Sequence, residues 1–270
     1  MNPNQALWEK GDFTRIAESM SESGEELARK LGVTKGLKVL DLGCGDGTTA
    51  LPEARLGAHV LGVDIARNLV EAGNKRAKEA GLANCKFQEG EATDLSDLKD
   101  ATFDLVVSIF RGHVRAEAVR RRQGNDPRHT ARRPDRHGEL DPKRSDAGGA
   151  NPEDQFRRLA ASARGLRQSN DLGIERNVIE RFGAACIPKD SISFVRDTYT
   201  FRFASPPAQL VDTFRKYYGP TMNAFEAAEK SGRSSELKTE LDDLFNSQNR
   251  SAVADAAAIP ATYLRVTVSR

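Results

Sequence analysis

The feature that most constrains this chain is a short apolar segment that runs directly into a glycine-rich turn. Lys38–Leu42 reads KVLDL, and residues 43–49 continue as GCGDGTT. Glycine at every second position lets the backbone turn tightly and approach a ligand, because no Cβ atom stands in the way. A helix predicted over Thr48–Leu56 would offer its first N–H groups at the same place. The pattern predicts a strand, a ligand-binding turn and a helix in succession.

Apolar strands and helices alternate through the next sixty residues. We predict further strands at Ala58–Ile65, Cys85–Gln88 and Thr102–Phe110, and a helix over Asn68–Ala80. Strands that read as continuous apolar runs are covered on both faces, which is typical of a parallel sheet between helical layers. A helical pattern over residues 4–31, interrupted near Ser21–Gly24, precedes this unit. The predicted fold class is α/β, with a doubly wound, Rossmann-like, mostly parallel sheet.

Polar side chains follow the predicted strands where a ligand would lie. Asp64 ends the second strand, 23 residues after Asp41. A carboxylate at that place can accept hydrogen bonds from both hydroxyls of a ribose. Glu91 follows the third strand, where it could accept from an exocyclic amine. The fourth strand ends at Ser108–Phe110, near the switch point at which sheets of this kind bind ligands.

In this order, DLGCGDGTT, GVDIA, GEATDL and FDLVVSIF resemble the cofactor motifs of class I S-adenosylmethionine-dependent methyltransferases. The resemblance covers residues 38–110 and is to the small-molecule type, similar to methyltransferase domains 11 and 25. It implies that S-adenosylmethionine is the cofactor and that a small molecule accepts the methyl group. The cofactor-binding residues it implies are Asp41, Gly43, Cys44, Gly45, Gly47, Asp64, Ile65, Glu91, Ala92 and Ser108.

The resemblance also implies a role for each of these positions. Asp41 and the loop 43–47 would contact the amino-acid end of the cofactor, and Asp64 would hold the ribose hydroxyls. Ile65 would lie against the adenine, Glu91 and Ala92 at its edge, and Ser108 near the sulfonium. The segment Trp8–Phe13 is similar to the lid of this family. No catalytic base is identified, and no metal site is predicted, because the histidines lack metal-like spacing with any cysteine.

Two other functions remain open at this point. Residues 45–50, GDGTTA, fit the G-x-G-x-x-A pattern of an NAD(P)-dependent oxidoreductase. Against that reading, Asp41 would place a carboxylate beside the pyrophosphate, an unfavourable contact between like charges. The third reading is a non-catalytic protein that binds nucleic acid through a basic segment at 111–172. We do not expect nucleic acid as a partner, because that segment has a single aromatic residue, Phe156, for stacking on bases.

Residues 111–172 depart from the family pattern. The segment holds 14 Arg, one Lys and 9 acidic residues, a net charge of +6 in a chain of +2. A composition rich in arginine with almost no lysine is typical of an alternative reading frame in a GC-rich gene. A one-base shift over residues 132–141 permits the missing glycine turn and an apolar fifth strand. We hypothesise that the segment is translated out of frame between two compensating shifts, and we expect it to be poorly ordered because apolar residues are scarce.

We predict a single domain over residues 1–270. It comprises an N-terminal helical lid (1–37), a cofactor-binding half (38–110), the anomalous segment (111–172) and a C-terminal half (173–270). Strands at Ile192–Phe203 and Ala261–Val268 would enclose a helical insertion at about 205–250, with the last strand antiparallel. Three widely spaced cysteines and the lack of an apolar run of about 20 residues predict a cytoplasmic protein with no membrane segment. The oligomeric state is not predicted.

Overall fold

The computed structural model describes residues 3–92, 95, 97–98, 102–109, 174–184 and 186–268. Its centre is a four-stranded parallel sheet, which confirms the predicted α/β class. The strands lie side by side in the order β3–β2–β1–β4. Their bounds are β1 (Lys38–Leu42), β2 (His59–Asp64), β3 (Cys85–Glu89) and β4 (Leu105–Val107).

Three short helices precede the sheet: α1 (Pro3–Glu9), α2 (Thr14–Ala17) and α3 (Ser21–Lys30), with a 3₁₀ turn at Glu18–Met20. The helical pattern predicted over residues 4–31 is therefore interrupted earlier in the chain than the expected break near residues 21–24. The chain breaks at Gly11, whose φ of +86° is left-handed. The Asp12 carboxylate then accepts from the Thr14 N–H at 3.2 Å and begins the next helix. Gly24 lies inside α3, where a Cβ would come within 2.1 Å of the Thr48 carbonyl oxygen.

Both faces of the sheet carry apolar side chains, as continuous apolar strands require. The helices α4 (Ala50–Arg55) and α5 (Arg67–Glu79) cover one face, and α5 is followed by the left-handed Gly81. That face buries Val39, Val60, Phe87 and Val107 with Ala50, Leu51, Ala54, Val70 and Ala77. The other face buries Leu40, Leu42 and Val63 with Ala92, Leu95 and Phe103.

The C-terminal half is a long antiparallel ribbon with helices inserted between its strands. Strands β5 (Ile192–Phe203) and β6 (Ala257–Val268) pair along their full length, from Ile192 with Val268 to Phe203 with Ala257. The antiparallel last strand and the helical insertion are thus confirmed. The remaining helices are α6 (Glu175–Ala184), α7 (Pro207–Tyr217), α8 (Gly219–Lys230) and α9 (Ser234–Gln248).

Within the described residues the ribbon is a sheet of its own, and it does not extend the parallel sheet. The fifth strand expected beside β4 falls in the anomalous segment, which lies outside the described residues. The ribbon packs on the N-terminal helices instead. Thr200 N–H donates to Ser23 Oγ at 2.9 Å, and Lys30 Nζ lies 2.9 Å from the Asp197 carboxylate. None of the helices in the described ranges has the length and apolar character needed to cross a membrane.

Candidate functional site

The glycine-rich turn lies at the carboxyl edge of the sheet, between β1 and α4. Its first two N–H groups, of Gly43 and Cys44, donate to the Val63 carbonyl oxygen at 2.7 and 3.3 Å and hold the turn against the end of β2. Gly47 has a φ of +97°, and a Cβ there would lie 2.7 Å from the Phe87 ring. This position therefore requires glycine both for its backbone conformation and for its packing.

Asp64 connects the end of β2 to this turn. Its side chain is 2% exposed; Oδ2 accepts from the Gly45 N–H at 2.9 Å and Oδ1 accepts from the Ala66 N–H at 3.0 Å. Each carboxylate oxygen has two lone pairs and could accept a further hydrogen bond from a ligand hydroxyl. The structure therefore brings together two predicted site residues, Asp64 and Gly45, that are far apart in sequence.

Asp41 lies on β1 beneath the turn and is 2% exposed. Side chains alternate along a strand, so Asp41 shares the α4 face of the sheet with Val39. On that face, Glu53 of α4 is fully buried, and burial, with a smaller contribution from Asp41, raises the pKa of its carboxyl group well above the usual value. The sequence analysis missed Glu53. The signal in the sequence was a charged residue at the i+3 position of an i, i+3, i+4 pattern with Ala50 and Ala54, which is the apolar face of α4.

A second acid that the sequence analysis missed anchors the turn to α5. Asp46 is 1% exposed, and Arg76 Nη1 donates both to its carboxylate and, at 3.2 Å, to its carbonyl oxygen. Burial raises the pKa of Asp46, and the neighbouring Arg76 charge opposes that rise. The ion pair therefore fastens the middle of the turn to a helix that begins after β2.

Other predicted site residues lie along the same edge. Ile65 is buried directly after β2, and Glu91 is partly exposed after β3. Ser108 Oγ, after β4, donates to the Leu42 carbonyl oxygen at 2.9 Å. Because β2 and β1 lie between β3 and β4, the two outer strands are about 14 Å apart at about 4.8 Å per strand.

Two predicted contact residues are largely buried in the apolar core. Ala92 is 3% exposed and packs with Leu40 and Leu42, and Cys44 is 7% exposed and packs with Val39. Their side chains pack on opposite faces of the sheet. A contact between either residue and a ligand remains a prediction.

Aromatic side chains from the N-terminal segment lie over the turn. A Cβ on Gly45 would be 3.8 Å from the Phe13 ring. The rings of Trp8, Phe13 and Tyr218 are mutually about 6 Å apart, with centroid distances of 5.9–6.0 Å. This places the segment predicted as a lid directly against the glycine-rich turn.

Helix α1 contacts the parallel-sheet half of the chain, and the residue that follows it contacts the helical insertion. Glu9 Oε1 accepts from the Arg67 N–H at 3.1 Å, at the start of α5. Gln5 Nε2 donates to Glu89 at the end of β3, also at 3.1 Å. Beyond the helix end, Lys10 Nζ lies 2.7 Å from the Glu226 carboxylate of α8. The segment predicted as a lid thus contacts both the predicted cofactor-binding half and the helical insertion.

The fold is Rossmann-like, and the predicted ligand-binding turn lies at the carboxyl edge of its parallel sheet. Residues 39–123 match the family model described as a methyltransferase domain. This match agrees with the resemblance of residues 38–110 to class I S-adenosylmethionine-dependent methyltransferases, and the order of the parallel strands is consistent with it.

Several known proteins match part of this chain. An uncharacterized protein of Mycobacterium tuberculosis is 35% identical over 108 residues, which are 40% of this chain and 39% of that protein. The ubiquinone biosynthesis O-methyltransferase of Maricaulis maris is 41% identical over 75 residues, 28% of this chain and 29% of that enzyme. The aligned part thus spans about two fifths or less of the length of these relatives.

One solved structure resembles the chain over most of its length. The YcgJ protein from Bacillus subtilis superposes with a TM-score of 0.52 at 17% identity and covers 92% of this chain and 98% of that one. At this identity the likeness is one of fold alone. A second uncharacterized protein of M. tuberculosis, 26% identical over 231 residues, aligns with 83% of this chain and 80% of its own length.

Proposed function

We propose that this chain binds S-adenosylmethionine along the carboxyl edge of its sheet and transfers the methyl group to a small-molecule acceptor. The observation that carries the proposal is the charge around the turn. Asp41, Asp46 and Asp64 are all buried there, and Arg76, which contacts the turn, is already paired with Asp46. Buried carboxylates repel a pyrophosphate and attract an ammonium or sulfonium group. This favours a cationic cofactor over a dinucleotide.

The glycine cradle and the strand order suit the shape of that cofactor. In this proposal Asp64 accepts hydrogen bonds from the ribose hydroxyls, and Ile65, the next residue, lies against the adenine. Glu91 and Ala92, on the β3 side, would face the adenine edge. Ser108 lies on the β4 side, so the predicted contacts are spread over about 14 Å. An extended ligand, with a nucleoside at one end and an amino acid at the other, fits such a span.

The bound cofactor supplies an electrophilic methyl group on its sulfonium. The residues of this chain contribute position and shielding. Asp64 and the turn fix the nucleoside relative to the sheet, and Phe13 with its aromatic neighbours covers the turn from solvent. Holding the reactants in line and excluding water are the contributions that such a transfer requires of the protein. The acceptor, its reacting atom and a deprotonating residue are not assigned.

None of the three cysteines, all of which lie in the described residues, forms a disulfide, and on that ground we propose a reducing compartment, the cytoplasm. Cys44 and Cys85 are buried, and Cys186 is exposed and unpaired. Stable disulfides form in oxidising compartments, where an exposed unpaired thiol is unusual. Oxidation-state analysis of the protein as isolated from cells tests this proposal, and a disulfide through Cys186 would contradict it.

Calorimetric titration separates this function from its competitors. S-adenosylhomocysteine, S-adenosylmethionine and NAD⁺ are titrated into the same preparation of the full chain. We expect one site for each of the first two ligands and no heat of binding for NAD⁺. Tight binding of NAD⁺ alone would refute the proposal in favour of an oxidoreductase. Salt-sensitive binding of DNA or RNA without either sulfur ligand would favour the nucleic-acid interpretation.

A further inference from the structure

Glu53 is a buried acid that has no part in the contacts that hold the glycine-rich turn. It is 0% exposed in the middle of α4, and neither carboxyl oxygen has a hydrogen-bond partner in the part of the chain that the structure describes. A buried carboxyl group without partners is costly, particularly in its charged form. An acid kept at such a place therefore calls for an explanation beyond packing.

The surroundings of Glu53 contain acidic and neutral groups. Asp41 on β1, Cys85 on β3 and Tyr199 on β5 lie within electrostatic range, and Tyr199 is in hydrogen-bond contact with the Thr49 side chain. Burial, with smaller contributions from Asp41 and Glu53, raises the pKa of the Cys85 thiol to about 12. Within the described residues, no cation contributes to the pKa of Glu53 or of Cys85.

The remaining titratable groups on the elements packed against α4 do not supply a positive charge to this cluster. On α3, Glu25 pairs at the surface with Arg55 of α4 at 3.5 Å. His59 is exposed at the start of β2, and the Asp64 carboxylate at its end accepts backbone hydrogen bonds. The other titratable side chains are Lys38 at the start of β1 and Lys86 and Glu89 on β3. The cluster beneath the turn is therefore a buried acidic pair, Asp41 and Glu53, with neutral Tyr199 and Cys85 beside it.

We infer that Glu53 holds a proton in the free protein and releases it when the cationic cofactor binds beside Asp41. Two adjacent buried carboxyl groups do not both ionise readily, so the less solvated one, Glu53, stays neutral. A ligand ammonium next to the pair offsets the second negative charge. The Glu53 O–H bond then breaks, its proton passes to the solvent buffer, and the bound complex contains two carboxylates. Glu53 is thus a positioning residue that couples cofactor affinity to pH. This inference rests on the proposed function.

The sign of the coupling follows from the proton balance. Since binding releases a proton, affinity for S-adenosylmethionine rises with pH, by up to about tenfold per pH unit for one proton released. The useful range is about pH 5.5 to 7, below the pKa of about 8 of an α-amino group, so that the ligand keeps its ammonium. Glu53→Gln has no proton to release, so its affinity should be independent of pH in this range.

The test is calorimetry with S-adenosylmethionine at about pH 6.5 in two buffers with different heats of ionisation. We expect proton release from the wild-type chain and from Glu79→Gln, a control at an exposed position of α5, and none from Glu53→Gln. Equal release by all three proteins would overturn the inference, as would no release by the wild type. Absence of binding at every pH would overturn the proposed function itself, which distinguishes the two failures.

A second measurement does not depend on the variant being folded. In the infrared spectrum of the wild type with S-adenosylmethionine minus that without it, loss of the protonated carboxylic acid should show as a negative carbonyl-stretch band. Binding of the cofactor without this negative band would also overturn the inference. A merely structural Glu53 would change the thermal stability of the variant without changing proton release.

Discussion

Replacement of Gly47 by alanine tests whether the turn is held by both backbone conformation and packing. The left-handed backbone costs a residue with a Cβ about 1–2 kcal/mol. The new methyl group would lie 2.7 Å from Phe87 Cζ and 2.9 Å from Leu51 Cγ, both in the core. Overpacking of this kind costs about 1–3 kcal/mol. We therefore expect a loss of about 2–5 kcal/mol, or about 4–20 °C in the unfolding midpoint at about 2–4 °C per kcal/mol.

Gly81→Ala is the matched control for that variant. Gly81 also has a left-handed backbone, with a φ of +68°, but no atom of the described residues lies within 4 Å of the position of its Cβ. The Gly81→Ala variant should therefore lose only the stability that the left-handed backbone costs, about 1–2 kcal/mol. Differential scanning calorimetry on the two variants and the wild type measures the difference. If both variants unfold at the same temperature, the packing of Phe87 and Leu51 against the turn does not contribute, and the reasoning is wrong.

Three further predictions concern ion pairs and thiols. Arg76→Ala should destabilise the chain by about 1–3 kcal/mol, less than a fully buried pair would lose, because Arg76 is partly exposed. The loss should be larger at neutral pH than in acid, where Asp46 is protonated; an equal loss in urea unfolding at both pH values would contradict it. For Asp197, burial raises the pKa, but hydrogen bonds from Lys30 and the Thr198 N–H outweigh it and lower the pKa overall. Stability from this group is therefore present above its unfolded pKa, and Asp197→Asn should cost about 1 kcal/mol at neutral pH; that cost should vanish as pH falls through the folded pKa. Iodoacetamide should modify exposed Cys186 in the folded chain and the two buried cysteines only after unfolding, and mass spectrometry showing early modification of a buried thiol would refute this.

The parallel sheet could be predicted because its signals are local. Each strand is a short apolar run followed by a polar or glycine turn, and the order of these runs determines the class of fold. The boundaries were harder to predict. Strand β4 covers only Leu105–Val107 of the predicted Thr102–Phe110, and Asp104 instead accepts from the Lys38 N–H at 2.8 Å. Strand β6 begins four residues before the predicted Ala261, because its first residues include Pro260 and alanines, which carry little strand signal.

The site could be predicted in part for the same reason. The glycine turn and Asp64 follow strand ends, so their meeting at one edge follows from the parallel order. The roles of Asp46 and Glu53 could not be found in this way. Asp46 depends on Arg76, 30 residues further along the chain, and Glu53 on its burial against the sheet. Such contacts arise only once the elements have packed together. The roles of the predicted cofactor contacts stay predictions until a ligand is bound.

The contacts of the N-terminal segment with both the sheet half and the helical insertion have a consequence for biosynthesis. Lys10 contacts Glu226, a partner 216 residues later in the chain, and the Asp12 N–H donates to the Tyr217 carbonyl oxygen. On the ribosome the first helix emerges long before these partners are translated. Loop closure over such a separation is slow compared with local folding. We therefore expect the glycine turn to form early and to stay open to solvent until translation of the helical insertion is complete, because only then can the insertion hold the N-terminal segment over the turn.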